Sequence, residues 1–217
     1  MTSAAAAVAA TSDHITARIQ ARIDREIEDL LATLPDPEKL TPAERRGLIA
    51  RYTAVLEGNF IYWMTGAYIA AGSDAARAKI MDNLREEVRD CHPGMLRRFA
   101  AAAGAVPGAD DAQAVSRSLM NVRLFIGRLS PVPIVVTMAF FEGFIQRFMP
   151  YLGDLARRQG SSEMEYTDVH GVCDVTHTQE LFNALESEMA LSPTLPDGET
   201  FEGVVLLRTL IRNIVTG

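Results

Sequence analysis

From Ile15 to Val215 the apolar residues recur at spacings of three and four, and no stretch keeps the alternation of two that a strand requires. That period confines the chain to packed helices. Ile15, Ile19, Ile23, Ile27, Leu30, Leu31 and Leu34 make one apolar stripe, which Pro35 and Pro37 stop. Thr41-Pro42-Ala43-Glu44 reads as a capping box with proline at the first helical position, opening a long helix to about Ala71. Gly72-Ser73-Asp74 ends it and caps the next, which runs to about Asp90. The Cys91-His92-Pro93 step breaks that helix, and another continues to Ala103.

A helix over roughly Ala112–Leu129 follows. Pro131 and Pro133 then separate it from a very apolar helix ending near Pro150, with a short segment on to Gln159. The spacing at Ser162 and Glu165 again suggests a capping box, for a helix to about Ala190. A Pro/Gly linker (Ser192–Gly198) precedes a last helix, Phe201–Val215. The expected class is all-α, a single bundle of about seven to nine helices over residues 14–217. Residues 1–13 are alanine-rich, lack the basic flank of a signal peptide, and read as a disordered tail.

Composition removes several function classes. The net charge is −7 and no Lys/Arg stripe is present, which argues against nucleic acid or an acidic membrane as partner. The longest apolar run, Pro131–Met149, is interrupted by Glu142 and Arg147, so it reads as a core helix and not a membrane span. The two cysteines, Cys91 and Cys173, make no disulfide framework and suit a reducing cytoplasm.

The chemistry is concentrated in three segments. In His170-Gly-Val-Cys-Asp174-Val-Thr-His177, at 100° per residue, Asp174 lies about 40° from His170 and His177 about 20° to the other side. Two of the four histidines thus share one narrow face with a carboxylate, a donor set preferred by iron, zinc and manganese. The neighbours Val169, Val172, Cys173, Val175 and Leu181 suggest that this helix is largely buried; the plainer alternative is a solvated polar face. The second segment is Glu142, set among Phe140, Phe141, Phe144 and Ile145. A buried carboxylate must be paired, protonated or metal-bound. A salt bridge to Arg123, Arg128 or Arg147 is the structural alternative. The third is Glu86-Glu87, followed by His92. Weak alone, it completes an inventory of three histidines and three carboxylates, enough for two iron ions.

The order of these segments resembles the heme-oxygenase-like diiron oxidase and oxygenase superfamily. The resemblance covers Asn83 to His177: acidic residues with His-Pro, a Glu on an apolar helix, then His-x-x-x-Asp-x-x-His. It implies a heme-oxygenase-like bundle and a metal set of Glu87, His92, Glu142, His170, Asp174 and His177. The interval from Glu87 to His92 is short for the superfamily, leaving Glu86 or Glu87 open as the ligand, and Glu57 sits where some members place an extra carboxylate. The implied activity is that of a non-heme diiron enzyme with dioxygen as co-substrate and, where needed, an external electron donor. It would oxidise a small amine- or carboxylate-bearing metabolite by N-oxygenation or C–C cleavage, in specialised-metabolite biosynthesis. Arg123, Arg128, Arg147 and Tyr151 are the candidates for holding that substrate, and a homodimer is expected. The alternatives are a metal-free enzyme of the thiaminase-II or pyrroloquinoline-quinone-synthase kind on the same fold, and a non-enzymatic helical interaction protein.

Overall fold

The computed structural model describes the backbone of residues 2–191 and 196–217, with side chains from Ile15 onwards within those spans. Among the described residues there are nine helices and no strand. They are α1 (Thr2–Leu31), α2 (Pro42–Ala70), α3 (Asp74–Arg89), α4 (His92–Ala102), α5 (Ala109–Ile126), α6 (Pro131–Arg158), α7 (Glu165–Met189), the single turn α8 (Asp197–Thr200) and α9 (Glu202–Thr216). The alanine-rich stretch expected as a tail falls within the backbone span of α1. The expected Pro/Gly linker lies partly outside the described residues.

Helix α6 is the axis. Its residues from Val132 to Ile145 are all buried, and α1, α2, α7, α8 and α9 pack around it. It is long and apolar enough to cross a membrane, but 89% of its most apolar window is buried inside the bundle. The expectation that this helix ends near Pro150 is corrected: α6 runs through Pro150 to Arg158. A proline inside a helix costs about 3 kcal/mol. The turn that follows offsets this by burying Leu152, Leu155 and Ala156 completely. At its other end, Pro131 takes the first-turn position, where its missing N–H costs nothing.

The caps mostly follow the sequence. Thr41 and Glu44 form the reciprocal box that opens α2. Ser73 caps α3 through the Ala76 amide. The box expected at Ser162 is absent: α7 starts after Met164 without a side-chain cap. Helix α5 begins at Ala109, because Asp111 reaches back to the Gly108 amide at 2.8 Å.

Two contacts fix the helices that flank the site. The buried Glu188 of α7 accepts from the amides of Gly72 (3.1 Å) and Ser73 (2.8 Å), pinning the start of α3 against α7. Gly203 of α9 lies so close to α6 and α5 that a methyl group there would overlap Thr137 Oγ1 and the Phe125 ring. Gly203→Ala is therefore expected to destabilise the fold by about 1–3 kcal/mol, read as a lower urea midpoint at unchanged slope.

Candidate metal centre

Four elements deliver the polar side chains of the interior. Helix α3 brings Asn83, Glu86 and Glu87; α4 brings His92; α6 brings Glu142; α7 brings His170, Asp174 and His177. All except Glu86 are buried, with Asp174 and Glu142 at 0% and 1% exposure. On α7 the helical period does what its spacing requires, turning His170, Asp174 and His177 inward together. The expected burial of the whole segment is corrected, since Val172 (74%) and Val175 (56%) face outward. Only the imidazole–carboxylate face enters the bundle.

The short interval between Glu87 and His92 has a backbone explanation. Cys91 adopts the left-handed conformation (φ 56°, ψ 46°), a sparsely used region for a side-chain-bearing residue. That single residue reverses the chain between α3 and α4. It folds His92 back so that its Nδ1 lies 2.7 Å from Glu87 Oε1. His170 stands beside them, its Nε2 4.0 Å from the same oxygen and its ring centroid 4.5 Å from that of His92. Its Nδ1 donates to the Tyr166 carbonyl (2.8 Å), so Nε2 carries the lone pair facing Glu87.

A second group gathers Asp174, His177 and Cys173. His177 Nδ1 lies 3.8 Å from Asp174 Oδ1 and 3.8 Å from Glu142 Oε1. The Cys173 thiol donates to Asp174 Oδ1 at 3.1 Å. Within each group, Glu87–His92–His170 and Cys173–Asp174–His177, one donor atom per residue falls within 4.8 Å of the others. Glu142 adjoins both groups: it faces His177 and lines the same cavity as Glu87, His92 and His170.

The electrostatics of this interior are unfavourable without a cation. Burial, then the charge of Asp174, pushes the Glu142 carboxyl well above the usual carboxylate range. Burial raises Asp174 likewise, with Glu87 adding to it against the lowering bond from Cys173. Burial holds His170 down at about 4. Burial also works to lower His92, but the hydrogen bond and charge of Glu87 outweigh it and leave the ring above its ordinary value. Among the described residues, three buried atoms of this interior, Asp174 Oδ2, His177 Nδ1 and Asn83 Oδ1, have no hydrogen-bond partner. Orphaned buried polar atoms are rare in folded proteins. Here Asp174 and His177 belong to one group of imidazole and carboxylate donors, which suits a divalent metal.

The salt-bridge alternative for Glu142 has no support in the geometry. Its hydrogen-bond donor is Asn83 Nδ2 at 2.9 Å. Arg128 pairs with Glu202, Arg147 with Asp24 and Glu28, and Arg123 donates to Asn59 and lies over Tyr62. Tyr151 donates to the Pro35 carbonyl at 2.9 Å. None of these four substrate candidates lines the cavity beside the site. Glu57 is not brought to the six either: it sits at a break in α2 (Gly58 φ 115°) and pairs with Arg97. Glu86 meets His177 from the outer side, with Oε2 3.0 Å from Nε2.

A narrow cavity of about 20 Å³ lies against Glu87, His92, Glu142 and His170. Leu56, Phe60, Leu96 and Ile145 supply its apolar wall. Of the four apolar neighbours of Glu142 on α6 named above, Ile145 lines it; Phe140 and Phe144 stack along α6 itself, and Phe141 packs edge-on to Trp63. Tyr166 also lines the cavity. Its ring lies 4.2 Å from that of His170, and its hydroxyl is 2.8 Å from that of the buried Tyr52. Its position four residues before His170 was the available signal.

A family model described as iron-containing redox enzyme matches residues 48–200. The chain belongs to that family. The redox enzyme thus has the heme-oxygenase-like fold that its motifs suggested, and all six side chains gathered above lie inside the matched span. No curated protein and no solved structure matches this redox enzyme.

Proposed function

We propose that this chain is a non-heme diiron oxidase or oxygenase that uses dioxygen to oxidise a small amine- or carboxylate-bearing metabolite. The observation that carries the reading is the convergence of two buried donor groups, Glu87–His92–His170 and Cys173–Asp174–His177, each with its donor atoms within 4.8 Å of one another, with Glu142 beside both. Two cations would take up the unpartnered donor atoms and allow three carboxyl groups to be buried together. Glu87, His92 and His170 would hold one ion, and Asp174 and His177 the other. Glu142, adjoining both groups, is suited to bridge them.

Reduced iron, when bound, supplies the electrons that activate dioxygen. The rest is done by the chain. His170 is held in one tautomer by the Tyr166 carbonyl, so its free nitrogen is presented without rearrangement. Asn83 holds one Glu142 oxygen in place through its amide. Leu56, Phe60, Leu96 and Ile145 set an apolar wall against the Glu87, His92, Glu142 and His170 side of the cavity. N-oxygenation and C–C cleavage are both compatible with this site, and substrate trials distinguish them. In biosynthesis, either reaction would act on a small molecule delivered to this wall.

Anaerobic Fe(II) titration is expected to saturate at about two irons per chain. Exposure to oxygen should then give a transient visible absorption band. His177→Ala should lose that band with helical content nearly unchanged. Binding of at most one iron, with no oxygen consumed in the presence of candidate amino acids, overturns the reading.

A further inference from the structure

Glu86 was an open alternative to Glu87 as a metal ligand, and its geometry gives it a different task. Its carboxylate lies on the side of His177 away from the other donors, 3.0 Å from Nε2, with its side chain 44% exposed. It forms part of the floor of an open polar cavity between α3 and α7, together with Asp82, Arg85, Arg89 and Glu180. The opposite nitrogen, Nδ1, is buried, has no hydrogen-bond partner, and faces Asp174 and Glu142 at 3.8 Å each. A carboxylate accepts but does not donate, so the proton between Glu86 and His177 belongs to Nε2. In the neutral ring the lone pair then sits on Nδ1, pointing at the other donors.

We infer that Glu86 is a positioning residue: it fixes the tautomer and orientation of His177 so that Nδ1, not Nε2, is the atom offered to metal. This rests on the diiron reading for its purpose, but the contact itself is testable without metal. A carboxylate on the far nitrogen of a ligating imidazole also raises its basicity, and losing such a partner typically costs about 10–100-fold in metal affinity. Glu87, by contrast, is buried on the inner side against His92 and His170. The two adjacent glutamates therefore serve different sides of the site, which the 100° turn between neighbouring helical residues permits.

The test reads the His177 ring nitrogens by ¹⁵N NMR in the metal-free protein, alongside Fe(II) affinity. Wild-type His177 is expected to carry its proton on Nε2. Glu86→Ala should give a mixture of tautomers and weaken iron binding by about 10–100-fold. Glu86→Lys places a donor where the acceptor stood, so the proton should move to Nδ1 and the affinity fall further. A wild-type ring protonated on Nδ1, or a tautomer unmoved in both variants, overturns the inference. So does loss of one whole iron per chain in Glu86→Ala with the tautomer unchanged, which would make Glu86 a ligand. A chain that binds no iron but shows the Glu86-dependent tautomer supports the contact and overturns the diiron reading alone.

Discussion

Replacing Glu142 by glutamine is expected to make the metal-free protein more stable while abolishing its capacity for two irons. The carboxyl is 1% exposed, receives one hydrogen bond from Asn83, and is raised well above its ordinary value by burial and by Asp174. A folded-state value above the unfolded one of 4.5 means a contribution fully present below 4.5 and lost as pH climbs through the folded value. Glutamine keeps the acceptor for Asn83 and never ionises. The gain is expected to be about 1–4 kcal/mol, in the range found when buried ionic groups are replaced. For a chain of this size that is roughly 2–4 °C in Tm for each kcal/mol. The difference should shrink toward pH 4, where the wild-type carboxyl is already neutral. Thermal melts of both proteins after chelation, across that pH range, decide it. A Glu142→Gln variant no more stable than wild type in mild alkali would show that the carboxylate is not a burden on the fold.

Iron affinity should rise steeply with pH. Burial favours the protonated form of both Glu142 and Asp174, and a metal must displace any proton they hold. His92, raised on balance by Glu87, adds a proton to be released near neutrality. His170, held at about 4, is already neutral there and adds none. Each proton displaced steepens the dependence by about tenfold per pH unit. Calorimetric titration with Fe(II) in buffers of different ionisation enthalpy counts the protons directly. Release of at least one per chain near neutral pH is the expected result; no release would mean that the carboxylates are ionised before metal arrives. The apo fold meets a second limit in acid. A depressed histidine value gives stability present above about 6.5 and lost as pH falls toward 4, so His170 penalises the fold at low pH while Glu142 and Asp174 penalise it at high pH.

Most of the fold was legible in the sequence because a helix writes its period into the residues it buries. Ile19, Ile23, Ile27 and Leu30 are all inside, as their spacing demanded. The same period brought His170, Asp174 and His177 to one face, so the α7 part of the site could be read from one segment. What the sequence did not carry was distance between helices. Nothing in the order of Arg123, Arg128 and Arg147 says that each meets an acid or amide of another helix before reaching the cavity. The separate duties of Glu86 and Glu87 depend on how α3 lies against α7, which the buried Glu188 fixes from more than a hundred residues away. Adjacent helical positions point about 100° apart, so the order of residues gives no sign that the Cys173 sulfur reaches Asp174. Pro150 failed as a stop signal because the apolar turn beyond it has a place in the core.

Tyr166 touches three things at once: its ring closes the cavity, its hydroxyl meets Tyr52 on α2, and its carbonyl holds the His170 ring. One residue therefore supplies part of the cavity wall through its ring and the acceptor that orients an imidazole through its backbone carbonyl. The lining of the pocket and the aim of one imidazole are thus settled together by how a single residue is seated between α2 and α7.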